Sequence, residues 1–265
     1  MQKTKQSKVP QSLGSKIFSI VNYTILALVG FIMFYPMFYF DPTYVLILIG
    51  VVISMAASAK LNSTYQRYSA VRSMCGMTGA DAAKRLLANQ GIYDVTVRRV
   101  PGNLTDHYDP RSKTVNLSDA VYNSTSIAAI GVAAHECGHA MQDANDYSPL
   151  RIRAALVPAA NLGSQLCWPL IIIGLLLGGS SVLLNLGILL FCLAVLFQLV
   201  TLPVEYDASH RAVTLLDSTG ILAGQEVGQT RKVLNAAALT YVAAAAASIL
   251  QLLRLLILFG NRRND

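Results

Sequence analysis

Five apolar runs limit what this chain can become: residues 17–40, 43–59, 154–179, 182–202 and 236–259. Each is near the roughly 20 residues that a helix needs to cross the hydrocarbon layer of a bilayer. Mean hydropathy is +0.47 and only 13% of residues are charged, which excludes an ordinary soluble domain. The expected fold is a mainly α, multi-span membrane protein.

The runs pair into hairpins. Asp41-Pro42 turns the chain inside a hairpin over 17–59, and Gly178-Gly179-Ser180-Ser181 turns it inside a second over 154–203. Basic residues flank the hairpins rather than their turns: Lys3, Lys5, Lys8 and Lys16 in a tail over 1–16, then Lys60, Arg151 and Arg153. By the positive-inside bias, the tail and the polar stretches 60–153 and 204–235 face the cytoplasm. The first run ends in Phe38-Tyr39-Phe40, without the small-residue cleavage site of a secretory leader, and reads as a span. The last run carries Gln251 and Arg254 and leads to a tail over 260–265 with Arg262-Arg263. It either crosses with Arg254 snorkelling or packs on the other helices. A net charge of +7 comes from scattered residues with no concentrated stripe, so no nucleic-acid partner is expected. Cys75, Cys137, Cys167 and Cys192 lack paired spacing and predict no disulfide framework.

Between the hairpins lies Ala133-Ala134-His135-Glu136-Cys137-Gly138-His139-Ala140, an H-E-x-x-H pattern on a helix expected to begin after Asn123-Ser124-Thr125. His135 and His139 share one helix face and can hold one metal ion together. Catalytic zinc needs three protein ligands and an open position, and Glu136 is placed to act as general base toward water there. Cys137 turns away as a small packed residue, and Gly138 lets another backbone come close. The helix is that of a zincin-like catalytic part. Residues 95–100 and 113–118 read as short strands, giving a β-hairpin or small sheet beside it. If the second strand is an edge, Val115, Asn116 and Leu117 would pair with an extended substrate; the alternative is an internal strand with both edges occupied. His107, in the polar turn 104–111, would bind substrate or the oxyanion, or serve only as a turn residue.

Glu205 is the expected third ligand. Two spans separate it from His139, an even number that returns it to the same membrane face. Pro203 is expected to open a helix there, and Glu205, Ala208, Ser209 and Ala212 share one face whose small residues permit close packing on the histidine helix. Asp143 has little reach from its place one turn after His139, and Asp146 lacks the glycine turn that a third ligand there requires. The bland alternative for Glu205 is a carboxylate favoured by a helix start.

The order hairpin, histidine helix, hairpin, Pro203-Val204-Glu205-Tyr206-Asp207-Ala208 resembles the YugP-like family of bacterial membrane-bound neutral zinc metallopeptidases. So do Phe40-Asp41-Pro42-Thr43-Tyr44, Leu104-Thr105-Asp106-His107-Tyr108-Asp109-Pro110-Arg111, Ser126-Ile127-Ala128-Ala129, Asn161-Leu162-Gly163-Ser164 and Leu234-Asn235-Ala236-Ala237-Ala238-Leu239-Thr240-Tyr241. More distantly the layout is similar to membrane gluzincins of the HtpX type, which carry an Asp where this chain has Ser209. That departure leaves the carboxylate behind the ligands unassigned; Asp207 points about 200° from Glu205, and Asp106 or Asp109 are substitutes. The resemblance implies a zinc peptidase of the bacterial plasma membrane. Its Zn2+ would be held by His135, His139 and Glu205, with Glu136 as base and peptides or membrane proteins as substrate. The competing function is a zinc-bound membrane scaffold without turnover. A base beside an open metal position favours the enzyme.

Overall fold

The computed structural model describes residues 41–260. The expected basic tail, the run 17–40 and the last five residues lie outside the described residues. Asp41 precedes the first helix among the described residues, its carboxylate accepting from the Thr43 amide at 2.9 Å and the Thr43 hydroxyl at 2.6 Å. Helix α1 (Tyr44–Ser69) runs through its apolar stretch and continues well past Lys60. Helix α2 (Gly79–Asn89) opens on a capping box in which Thr78 accepts from the Asp81 amide and Asp81 answers at Thr78. Three strands follow, β1 (Thr96–Val100), β2 (His107–Asp109) and β3 (Thr114–Ser118), then a short α3 (Asp119–Tyr122). Helix α4 (Ile127–Ala144) carries the histidines, capped by Ser126 accepting from the Ala129 amide at 3.2 Å. The chain closes with α5 (Ser148–Leu176), α6 (Ser181–Ser218) and α7 (Gln225–Phe259).

The sheet is mixed, in the order β1-β3-β2. β1 lies parallel to β3 with Thr96 opposite Thr114, and β2 lies antiparallel with His107 opposite Asn116. β3 is therefore the central strand, and all five of its residues are buried. The edge role for Val115, Asn116 and Leu117 is corrected to the internal one: their backbone faces β1 on one side and β2 meets Val115 and Asn116 on the other. The edge next to α4 is instead β2, within the stretch expected to be only a turn.

Beneath the sheet, Leu86 of α2, Val115 and Leu117 of β3, Ile130 and Cys137 of α4, and Leu216 of α6 form the water-excluding core of the polar part. Helices α1, α5, α6 and α7 are long and apolar enough to cross a membrane, and the molecule is a multi-span membrane protein. Their outward faces present Val52, Met55, Leu189 and Ile257.

Two expected helix boundaries do not exist. Pro203 opens no helix; it sits inside α6, which began at Ser181. The missing N–H costs a single ladder bond, which a long apolar helix packed on neighbours tolerates. Likewise the end of the polar stretch 204–235 and the apolar run 236–259 share one helix, because no breaker stands between Leu234 and Ala236. Arg254 of α7 does not snorkel. It is 6% exposed, pairs with Asp41 at 3.3 Å and lies 4.4 Å from the centre of the Tyr44 ring, so α7 is both long enough to cross and packed on α1.

Candidate metal centre

Gly138 determines how α4 meets α6. A Cβ at this position would stand 2.5 Å from the Ala208 carbonyl oxygen, so the approach needs a residue without a side chain. The contact brings Glu205, one turn earlier on α6, over the histidines. Glu205 Oε2 lies 3.2 Å from His135 Nε2 and 3.7 Å from His139 Nε2. The three donor atoms fall within 4.8 Å of one another, the one such cluster of histidine, cysteine and carboxylate groups among the described residues.

A second layer of contacts orients these donors. Gln142 donates its amide nitrogen to the Val204 carbonyl and to Asp207 Oδ2, both at 2.8 Å. Its Oε1 is thereby turned toward His139 Nδ1 at 2.9 Å, where it can only accept. A proton on Nδ1 answers that acceptor and leaves Nε2 directed toward Glu205. Ser209 Oγ meets His135 Nδ1 at 3.1 Å and supports the same arrangement there. Glu205 divides its oxygens: Oε1 takes Arg153 Nη1 at 3.2 Å, while Oε2 faces the imidazoles. Tyr241 of α7 stands beside the same carboxylate.

The donors fit zinc. Two imidazole Nε2 atoms converge on one carboxylate oxygen, and either a proton or a cation set between them makes that contact attractive. In a tetrahedral site with bonds of about 2.0–2.1 Å, neighbouring ligand atoms are about 3.3 Å apart. The 3.2 and 3.7 Å from Glu205 fall close to that spacing, while the set as a whole spans up to 4.8 Å and would draw in around an ion. Glu205 also contributes one oxygen inward with the other held outward, as a single-point donor should.

Glu136 is buried beside this cluster at 8% exposure. Burial pushes its carboxyl up to about 7; His135 opposes the rise, Asp106 and Glu205 add to it, and the Tyr108 backbone amide steadies the charged form. A cation among the neighbouring donors would favour the carboxylate again. Cys137, as expected, is packed away from the donors, and burial raises its thiol well above the ordinary value.

The remaining candidates have local partners. His107 places Nδ1 2.8 Å from the Thr105 carbonyl and Nε2 3.2 Å from the Asn116 amide nitrogen, so both ring nitrogens are engaged. Asp143 receives Tyr108 Oη at 2.8 Å and Lys113 Nζ at 2.7 Å, and Asp146 pairs with Arg151. Asp106 is bound to the Ser118 amide and hydroxyl, and Asp109 to Ser112 and the Arg111 amide. Neither supports a histidine; Gln142 and Ser209 do. Sequence reasoning passed over Gln142, although it follows His139 by three positions on the same helix face. Arg153 was read only as a flanking charge, and Tyr241 only as part of a resembling segment.

A family model described as "Putative neutral zinc metallopeptidase" matches residues 43–260. The chain belongs to that family. It is also similar to the protein named "Putative membrane protease YugP" of Bacillus subtilis (strain 168), at 47% identity over 213 residues, 80% of this chain and 94% of that relative. No solved structure matches the chain. All the residues gathered at the candidate centre, from His135 to Tyr241, lie inside the segment that the family model covers.

Proposed function

We propose that the chain is a zinc-dependent endopeptidase of the plasma membrane that cleaves peptides or membrane proteins close to the cytoplasmic face. The observation that carries this reading is the convergence of His135, His139 and Glu205 with Glu136 buried at their side. Zinc held by the three donors would supply Lewis acidity toward a peptide carbonyl and toward water. Glu136 takes the proton of the attacking water and returns it to the departing amine nitrogen. Gln142 and Ser209 keep the imidazoles in the tautomer that donates from Nε2. Arg153 pairs with the outer oxygen of Glu205 and fixes its rotation. The outer edge of β2 runs past the base, since the Tyr108 amide reaches Glu136, and an extended peptide added to that edge would lie across the cluster.

Glu136→Gln tests the chemistry. Purified in detergent and offered a panel of membrane-protein substrates, this variant should keep its zinc and lose cleavage by on the order of 10³-fold. Cleavage at the wild-type rate would remove Glu136 as the base. Loss of turnover with zinc retained also separates an enzyme from a zinc-bound scaffold, which would have no turnover to lose.

Sidedness rests on the placement of Lys60, Arg67, Arg72, Arg151, Arg231 and Lys232 at the ends of α1, α5 and α7 nearest the cluster. Single cysteines at the exposed positions Ser112 and Gln225 should resist an impermeant thiol reagent added outside intact cells. Reaction of both would place the cluster on the outer face.

A further inference from the structure

We propose a binding site for the phosphate of an anionic phospholipid, sharing no residue with the metal centre, in an open groove of about 790 Å³ between α1, α6 and α7 whose cations are exposed. Lys60 and Arg67 of α1 and Lys232 of α7 supply three cations to its wall, and no acidic residue lines it. None of the three has a carboxylate partner among the described residues. Three like charges along one groove give it a positive potential that attracts anions, most strongly at low ionic strength. Neutral donors stand among them, including Thr64, Tyr206 and Asn235.

Position selects the kind of anion. Lys60 directly follows the apolar run of α1, Tyr206 follows that of α6, and Lys232 and Asn235 directly precede that of α7. All three helices thus pass from apolar to polar sequence at the level of this groove, where headgroups lie. Ala236 and Leu239 continue the wall on the apolar side. A phosphate between the cations with an acyl chain descending along Leu239 satisfies both halves of the lining. A soluble phosphate satisfies only the upper half. Basic pockets at such a level select anionic headgroups over zwitterionic ones, at about fivefold in affinity per cation.

The experiment uses the full chain in nanodiscs of phosphatidylcholine with and without phosphatidylglycerol, and counts retained phosphatidylglycerol by native mass spectrometry after detergent release. The wild type should retain it. The triple variant Lys60→Gln, Arg67→Gln, Lys232→Gln should lose affinity on the order of a hundredfold, and each single variant a few-fold. Arg231→Gln removes a neighbouring cation outside the groove and should change little. Zinc content and melting temperature in phosphatidylcholine alone establish that the variants fold, and the single variants carry the test if the triple does not. Equal retention by wild type and single or triple variants overturns the site, and so does an equal loss in Arg231→Gln, which would mark a diffuse surface charge. Inorganic phosphate separates the sources: stabilisation of the wild type by phosphate with no response to phosphatidylglycerol would replace the lipid with a soluble anion.

Discussion

Helix α6 is approached across glycine at two levels, and the two contacts have different surroundings. Near the metal centre, Gly138 of α4 admits the Ala208 carbonyl, and the neighbouring side chains are polar: Glu205, Ser209, Gln142 and Arg153. Farther along, Gly163 of α5 admits the Leu190 carbonyl, where a Cβ would stand 2.6 Å away, and the nearby cluster is Cys167, Ile171, Leu184, Ile188 and Phe191. In an apolar solvent no hydrophobic force drives helices together, so the second contact gains its stability from close backbone packing itself. The first uses equal closeness to set a carboxylate among imidazoles. One backbone device therefore serves cohesion in one place and placement in the other.

That contrast is broken or sharpened by substitution, beginning with the largest effect. Glu205→Ala should reduce zinc from stoichiometric to background in elemental analysis. Glu205→Gln, which still offers Arg153 an acceptor, should do the same. Retention of zinc by the glutamine variant would mean that the alanine variant failed through Arg153, left buried and unpaired, and would take the donor role from Glu205. Gln142→Leu comes next: it removes the acceptor at His139 Nδ1 and should weaken zinc binding by about 10- to 100-fold in a chelator competition, with folding retained. An unchanged affinity would mean that Gln142 only links α4 to α6. The smallest and most diagnostic comparison pairs Gly138→Ala with Gly163→Ala. Each new methyl meets a carbonyl at nearly the same distance, so each should cost about 1–3 kcal/mol in thermal unfolding. Only Gly138→Ala should also lower zinc affinity. If both lower it equally, placement and cohesion are not separable along α6.

The parts of this arrangement that rest on local rules were legible in the sequence. Residues at i and i+4 on a helix must share a face, so His135 and His139 were paired before any fold was known. Parity of spans and a row of small residues pointed to Glu205, and the geometry brings it to 3.2 Å from His135. What failed was either non-local or lacked a pattern. β2 is three half-buried residues, His-Tyr-Asp, with no apolar alternation to announce it. The central place of β3 depends on which strands flank it, which its own residues do not encode. Pro203 was given its usual meaning as a helix start, but α6 was already helical around it. Asp207 was discounted by its angle from Glu205, yet it accepts from Gln142 of the histidine helix, a partner 65 positions away that its own neighbours do not announce.

The Gly138–Ala208 contact also has a mechanical meaning. With that contact as a fulcrum, α6 is a lever whose long arm reaches about 40 Å to Ser181 and whose short arm, to Glu205, is about 4.5 Å. A sway of about 4 Å at the far end, of the kind that a change in bilayer thickness imposes on a tilted helix, reaches Glu205 divided by about nine. The donor then moves by about 0.5 Å, close to the tolerance of a working site. A membrane helix can thus carry a metal donor and still leave it nearly indifferent to the thickness of the lipid around it.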